Sequence, residues 1–212
     1  MDNTLYVLGV GANTIVTIDL AEACGYHIGG LYHYEEGRTK DLVFGHQIIG
    51  SNDELFASDI SGKNFALSMG DNDIRATLFQ RIIEKGGHVP ALIHPSAVVS
   101  KYSICKEGVL IYPNCVVDPD VEIGENTIIS DKSIVLHGCR IGCHCFLAPD
   151  AVLGAMTIVE DYSFVGMNAT VISRKAQHLG YRSVIGAGAV VTKPVESKQC
   201  VAGIPAKTID NQ

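Results

Sequence analysis

Residues 123–147 read IGENTIISDKSIVLHGCRIGCHCFL, and an aliphatic side chain recurs in them at every sixth position: Ile123, Ile129, Val135, Ile141 and Leu147. The same spacing runs back through Val117, Ile111 and Cys105 to Val99, and forward through Leu153, Val159 and Val165 to Val171. Four residues after these positions the side chain is mostly small, as in Ser103, Cys115, Thr127, Ser133, Cys139, Cys145, Ala151, Thr157, Ser163 and Ala169. Such a hexapeptide repeat signals a parallel β-helix. Each six-residue segment forms one short side of a coil, and its apolar residue is buried only when further segments stack above and below it. Three sides close one coil, so residues eighteen apart are expected to stack. The register breaks at Arg174 to His178, two residues longer than the repeat, and resumes with Leu179, Ile185 and Val191. A loop is expected to project there. At three slots per coil the run makes about five coils, followed by a tail from Cys200 to Gln212 that contains Gly203 and Pro205.

The first ninety residues follow a different pattern. Leu5-Tyr6-Val7-Leu8 ends at Gly9, and an amphipathic stretch from Asn13 to Cys24 stops at Gly25, the order strand then helix. Further strands are expected near Ile28 to Tyr32, near Gln47 to Ile49, and at Phe65 to Met69. The helix that follows carries Ile74, Leu78 and Ile82 on one face and closes at Gly86-Gly87. Apolar strands alternating with helices describe a small parallel α/β domain covered on both faces. The expected organisation is therefore an α/β half domain of Rossmann-like character over residues 1–93 and a parallel β-helix over residues 94–212.

Composition narrows the function. The 212 residues carry 16 basic and 23 acidic side chains, a net charge of −7 with no block of like charge. No electrostatic footprint for nucleic acid or an anionic membrane is present. No apolar run approaches the roughly 18 residues that span a bilayer, and Met1 to Thr4 lack the positive start of a signal peptide, so a cytoplasmic protein is expected. The 7 cysteines read as reduced thiols in that setting.

The run Val184-Ile185-Gly186-Ala187-Gly188-Ala189-Val190-Val191-Thr192-Lys193 and the closing Val201-Ala202-Gly203-Ile204-Pro205-Ala206-Lys207 resemble the left-handed β-helix acyltransferases. Ser68-Met69-Gly70-Asp71-Asn72-Asp73-Ile74-Arg75 and Leu92-Ile93-His94-Pro95-Ser96-Ala97 are similar to segments of the two-domain sugar acetyltransferases, which include sialic-acid O-acetyltransferases and N-acetyltransferases of nucleotide-linked 4-amino-4,6-dideoxy sugars. The resemblance implies a left-handed coil, a homotrimer with active sites between subunits, and acetyl-CoA as donor.

His137 falls two positions after Val135, at a turn between two sides of the coil, pointing outward. The resemblance makes it the general base that takes a proton from the acceptor as it attacks the thioester, work suited to an imidazole, whose unperturbed pKa is about 6.5. The glutamate that precedes this histidine in the amino-sugar enzymes is replaced by Leu136, and Asp118, one coil below Leu136, is a candidate orienting group. Phe146 stands where the family has a histidine near the thioester. Family contacts to the coenzyme map to Phe146, Met167, Gly186, Ala187 and Gly188, with Lys193 and Lys207 as partners for its phosphates.

In the N-terminal half, Gly9-Val10-Gly11-Ala12-Asn13-Thr14 opens the first helix after a strand, where backbone amides attract phosphate. The third glycine of a dinucleotide fingerprint is replaced by Thr14 and the domain lacks a second Rossmann half, so NAD is not expected. In the related transferases this turn and Gly70-Asp71-Asn72 hold the acceptor's nucleotide. Gly11, Ala12, Asn13, Thr14, His33, Gly70, Asp71 and Asn72 are therefore the expected substrate contacts, with Tyr32, His33 and Tyr34 at the end of the second strand and Glu35 and Glu36 just beyond. No metal is expected: of His137, Cys139, Cys143, His144 and Cys145, two cysteines occupy inward small positions and cannot share a tetrahedral site with outward side chains. Glu160, Asp150 and Asp161 read as solvated turn residues. The function expected is acetyl-CoA-dependent N-acetylation of a nucleotide-linked amino sugar for surface glycans; the alternatives are a sugar O-acetyltransferase and a catalytically degenerate sugar-nucleotide-binding scaffold.

Overall fold

A computed structural model describes residues 3–35 and 37–209; Glu36 and the last three residues of the tail lie outside the described residues. The chain divides into two compact units, Met1–Leu92 and Ile93–Gln212.

The first unit is a sheet in the order β3-β4-β2-β1-β5, with β1 at Thr4–Leu8, β2 at His27–His33, β3 at Leu42–Val43, β4 at His46–Ser51 and β5 at Asn64–Leu67. Strands β4, β2, β1 and β5 run parallel, and β3 turns back antiparallel on β4. Helices α1 (Thr14–Ala23), α2 (Asn52–Ala57) and α3 (Asn72–Glu84) connect them. Helix α2 and strand β3 are absent from the sequence reading. The short helix follows from its capping box: the Ser51 hydroxyl accepts the Glu54 N–H at 3.1 Å while the Glu54 carboxylate accepts the Ser51 N–H at 2.7 Å. Leu8, Phe65, Leu78, Phe79 and Ile82 meet in its core. Ile74, grouped by periodicity with Leu78 and Ile82, is instead 55 % exposed, because it lies in the first turn of α3, at the mouth of a pocket rather than over the sheet.

In the second unit each segment of the repeat is a two-residue strand, and the strands stack into three parallel sheets. One face stacks Val98–Val99, Val116–Val117, Ile134–Val135, Val152–Leu153, Thr170–Val171 and Val190–Val191; the next runs from Ile104–Cys105 to His178–Leu179; the third runs from Leu92–Ile93 to Cys200–Ala202. Val117 pairs with Val135 and Val135 with Leu153, the spacing of eighteen that three sides of six require. The second residue of each strand points inward, and Ile111, Ile129, Val135, Leu147, Leu153, Val165 and Ile185 are fully buried. The first points outward. Corners are made by a residue with positive φ at every sixth position, among them Asn126, Lys132, His144, Asp150, Met156 and Tyr162, a conformation that costs an L-residue roughly 1–2 kcal/mol. The extra residues at 174–178 make a compact turn rather than a long projecting loop: the Ala176 N–H bonds to the Ile172 carbonyl and its side chain is buried inside the coil, leaving Arg174 and Lys175 exposed.

Cys115, Cys139 and Cys145 occupy the inward small positions, where their thiols donate to the Ser130, Gly154 and Glu160 carbonyls. Burial pushes Cys115 up to about 11. Because the folded state keeps this proton more tightly than the unfolded chain, its contribution to stability is complete below about pH 8.5 and is lost as pH rises towards 11. Two outcomes are expected. A thiol reagent at pH 8 modifies Cys115, Cys139 and Cys145 only after unfolding. Leu147→Ala, which removes a side chain packed on all sides, lowers the urea-unfolding free energy by about 2–5 kcal/mol.

Candidate functional site

A pocket of about 430 Å³ opens in the first unit where β1 hands over to α1 and β5 to α3; Gly9, Gly11, Ala12, Asn13, Met69 and Gly70 are among its lining residues. Gly11, Ala12 and Asn13 are exposed, and α1 begins with no side-chain cap and no acidic residue in its first turn. The Thr14 N–H closes on the Gly11 carbonyl at 3.1 Å, and the uncapped start leaves the next amides of the helix to an anion. Thr14 lies beneath this turn instead of facing the pocket. It is fully buried, its hydroxyl accepts the Gly11 N–H at 2.7 Å and lies 3.3 Å from the Ser68 hydroxyl, and so it ties the turn to the end of β5. Gly9, at φ +100°, has no room for a side chain: a Cβ would stand 2.7 Å from Ser68 Oγ.

The Gly70-Asp71-Asn72 turn divides in the same way. Gly70 lines the pocket, whereas Asp71 caps α3 by accepting the Asp73 and Ile74 N–H groups, each at 2.9 Å, and Asn72 accepts a hydrogen bond from Arg75 at 2.8 Å. Arg75 is the residue that sequence reasoning passed over. It is fully buried, and its guanidinium also donates to the Met69 and Gly70 carbonyls at 3.2 and 3.3 Å, holding the whole turn from one side chain. His33 is likewise not a surface contact. It is 2 % exposed, its Nδ1 accepts the Glu35 N–H at 2.9 Å, and its ring packs on Tyr34 at 4.4 Å. Tyr34, 72 % exposed, lines the pocket in its place.

In the second unit His137 is exposed at a corner of the coil. The Asp118 carboxylate meets it, but through the main chain: Oδ2 accepts the His137 backbone N–H at 3.2 Å. Asp118 therefore fixes the turn that carries the imidazole. Gly138 supplies the positive φ at this corner and lies under Met156, whose Sδ would be 2.3 Å from a Cβ there. Leu136 is half-buried. Phe146 points outward from its strand and packs on Phe164 with ring centroids 5.5 Å apart. Met167 and Ala187 are exposed at one corner on adjacent coils, joined by the Gly188 N–H to the Met167 carbonyl at 2.8 Å. Lys193 and Lys207 line one cleft of about 370 Å³.

Glu160 and Asp161 are not simply solvated. Glu160 pairs with His178 at 2.9 Å and accepts the Tyr181 N–H at 2.6 Å, and Asp161 accepts the Cys143 N–H at 2.8 Å. Among the described residues no three His, Cys, Asp or Glu side chains come together to hold a metal, and no helix is long and apolar enough to cross a membrane.

Residues 102–137, within the coil, match the family model for bacterial transferase hexapeptide (six repeats). Three solved structures follow the chain almost throughout. Perosamine N-acetyltransferase PerB from Caulobacter crescentus, solved with CoA and GDP-perosamine, is 28% identical over 98% of this chain and 97% of its own, with a TM-score of 0.90. The acetyltransferase domain of PglB from Neisseria gonorrhoeae, solved with acetyl coenzyme A, is 27% identical over 99% of this chain and 100% of its own, with a TM-score of 0.89. WeeI from Acinetobacter baumannii shares the fold at 20% identity, covering 97% of this chain and 99% of its own, with a TM-score of 0.85.

Arg75→Met leaves three carbonyl oxygens of the Met69–Asn72 turn short of a donor, at about 1–3 kcal/mol for each acceptor left unsatisfied. The expected outcome is a lower melting temperature, with faster amide exchange concentrated at residues 69–74.

Proposed function

We propose that the chain is an acetyl-CoA-dependent N-acetyltransferase that acts on the amino group of a nucleotide-linked sugar in surface-glycan synthesis. The observation that carries this reading is the likeness, over nearly the full length of both chains, to PerB, a perosamine N-acetyltransferase solved with CoA and GDP-perosamine. The pocket of the first unit supports it, since the uncapped start of α1 opens there and suits a diphosphate. The sugar-nucleotide role of the first unit and the coenzyme role of the second are part of the proposal.

His137 is the proposed general base. The acceptor amine attacks the thioester carbonyl, the imidazole takes the proton released from nitrogen, and as the C–S bond breaks that proton passes to sulfur, so CoA leaves as the thiol and the imidazole is again neutral. PerB has also been crystallised with one histidine changed to alanine or asparagine, and CoA and GDP-perosamine are bound in both, a precedent for a histidine in this fold that is dispensable for binding. Asp118 acts as a positioning residue through the His137 backbone. A homotrimer is part of the proposal: the outward residues of one face are Val98, Val116, Ile134, Val152, Thr170 and Val190, almost all apolar, whereas another mixes Ile104 and Ile158 with Glu122, Arg140 and His178. Phe146, Met167, Gly186, Ala187 and Gly188 are the proposed coenzyme contacts, and Lys193 and Lys207, which share a cleft, the phosphate partners. A reaction between acetyl-CoA and a sugar nucleotide belongs in the cytoplasm, where both are made.

The test is thiol release from acetyl-CoA in the presence of nucleotide-linked 4-amino sugars and their 4-hydroxy counterparts. Turnover on an amino sugar is expected, with His137→Ala lowering kcat by about 10²–10⁴-fold while acetyl-CoA affinity stays within twofold. Turnover confined to the hydroxy sugars, or an alanine variant as active as the parent, overturns the assignment.

A further inference from the structure

Asn52 Oδ1 is the one buried side-chain nitrogen or oxygen without a hydrogen-bond partner among the described residues. A buried acceptor with no donor in its own chain is destabilising, and a donor on a ligand, in place of water, would satisfy it. The residue stands at the first position of α2, and the Ser51–Glu54 capping box fixes the backbone on which it sits. Its side chain lines the 430 Å³ pocket described above, and also a smaller hollow of about 300 Å³ that shares Ile74 and Leu78 with that pocket and adds Asp73 and Thr77.

The surroundings specify what carries the donor. Ile74 and Leu78 give the pocket an aliphatic wall, and the exposed Tyr34 ring offers a flat aromatic surface, a combination that takes a planar ring. The Gly9–Asn13 turn, at the uncapped start of α1, lines the same pocket. A planar heterocycle with N–H groups on its edge, carried on a diphosphate, satisfies all of these at once.

Resting on the reading of this pocket as the nucleotide site, we propose that Asn52 is its base-selecting residue: Oδ1 accepts a base N–H, and together with the Asp73 carboxylate it selects guanine. Guanine presents the N1–H and the N2 amino group side by side, two donors for two acceptors. Uracil and thymine present a single N3–H flanked by carbonyl oxygens, which a carboxylate repels. Adenine and cytosine set a ring acceptor beside their amino group.

The experiment is calorimetric titration of the full-length protein with GDP, IDP, UDP and dTDP. GDP is expected to bind about tenfold or more tightly than UDP and dTDP, with IDP, which lacks the N2 amino group, in between; one hydrogen bond is worth about that factor. Asn52→Leu is expected to weaken GDP about tenfold, leave UDP within twofold, and keep the parental melting temperature. Equal affinity for GDP and UDP, IDP equal to GDP, or a guanine preference intact in Asn52→Leu overturns the base assignment and leaves the nucleotide site standing. Failure to bind any of the four nucleotides brings down the reading of the pocket itself, and the base assignment with it.

Discussion

Every coil of the second unit depends on the coil stacked against it, eighteen residues away along most of the run and twenty across the 174–178 turn. A two-residue strand such as Ile134–Val135 has no hydrogen-bonding partner of its own and cannot bury Val135; it gains both when Val116–Val117 stacks below and Val152–Leu153 above. The requirement propagates along the chain, which explains why the inward slot is aliphatic for so long a run and why its small companions, Cys139, Cys145, Ala151 and Ser163 among them, are buried. It also sets where chemistry can reside. Inward positions are committed to the core, strand-outward positions form faces, and only the corners project side chains that neither packing nor pairing constrains. His137 and Met167 are corner residues, on turns whose backbone is already fixed by the stack.

The first unit solves the complementary problem of holding a turn open. Its pocket is bordered by two chain reversals, and each is tied by buried polar groups. Thr14 and Ser68 hold the first, and Arg75 holds the second. A buried guanidinium is costly unless its donors are satisfied, and here they are spent on the carbonyls of the turn itself. The Gly9 and Gly11 amides are taken by the Tyr32 carbonyl and the Thr14 hydroxyl, which fix the turn so that Val10, Ala12 and Asn13 line the cavity at the uncapped start of α1.

These two kinds of constraint explain what could be read from residues alone. The hexad was legible because a solenoid repeats one physical demand at a fixed interval, and a single slot such as Val135 is interpretable once its neighbours at six and eighteen residues agree. The pocket was legible only in part. Gly11, Ala12, Asn13 and Gly70 line it as the strand-turn-helix pattern suggests, but Thr14, Asp71, Asn72 and His33 are polar residues of the same neighbourhood whose side chains serve the scaffold. Nothing in a linear pattern separates a hydroxyl that faces a ligand from one that faces a carbonyl behind the turn. Arg75 shows the limit in reverse, since an arginine on an amphipathic helix reads as solvent-facing until the carbonyls that receive it are located. The capping box at Ser51 and Glu54 carried a readable signature, and with it the backbone placement of Asn52.

With His137 as the proposed base, the lack of a carboxylate bonded to its ring from Leu136 or Asp118 bears on which acceptor the proposed site suits. Leu136 occupies the position before His137, and Asp118 spends its bond on the main chain, so the ring is oriented by its backbone and not by an anion hydrogen-bonded to it. An imidazolium formed during transfer gains no charged partner from either residue. That arrangement is poorly matched to a sugar hydroxyl, whose proton must be drawn off well before the oxygen becomes a competent nucleophile. An amine is different: its neutral form attacks through the nitrogen lone pair, and the proton lost afterwards leaves a cationic nitrogen that is already strongly acidic. The base then has only to be close and correctly turned, which a fixed corner of a stacked coil provides. On this argument the loss of the acidic neighbour leaves amine acylation accessible while weakening the case for an alcohol, and it does so through geometry that the Asp118 bond to the His137 turn maintains.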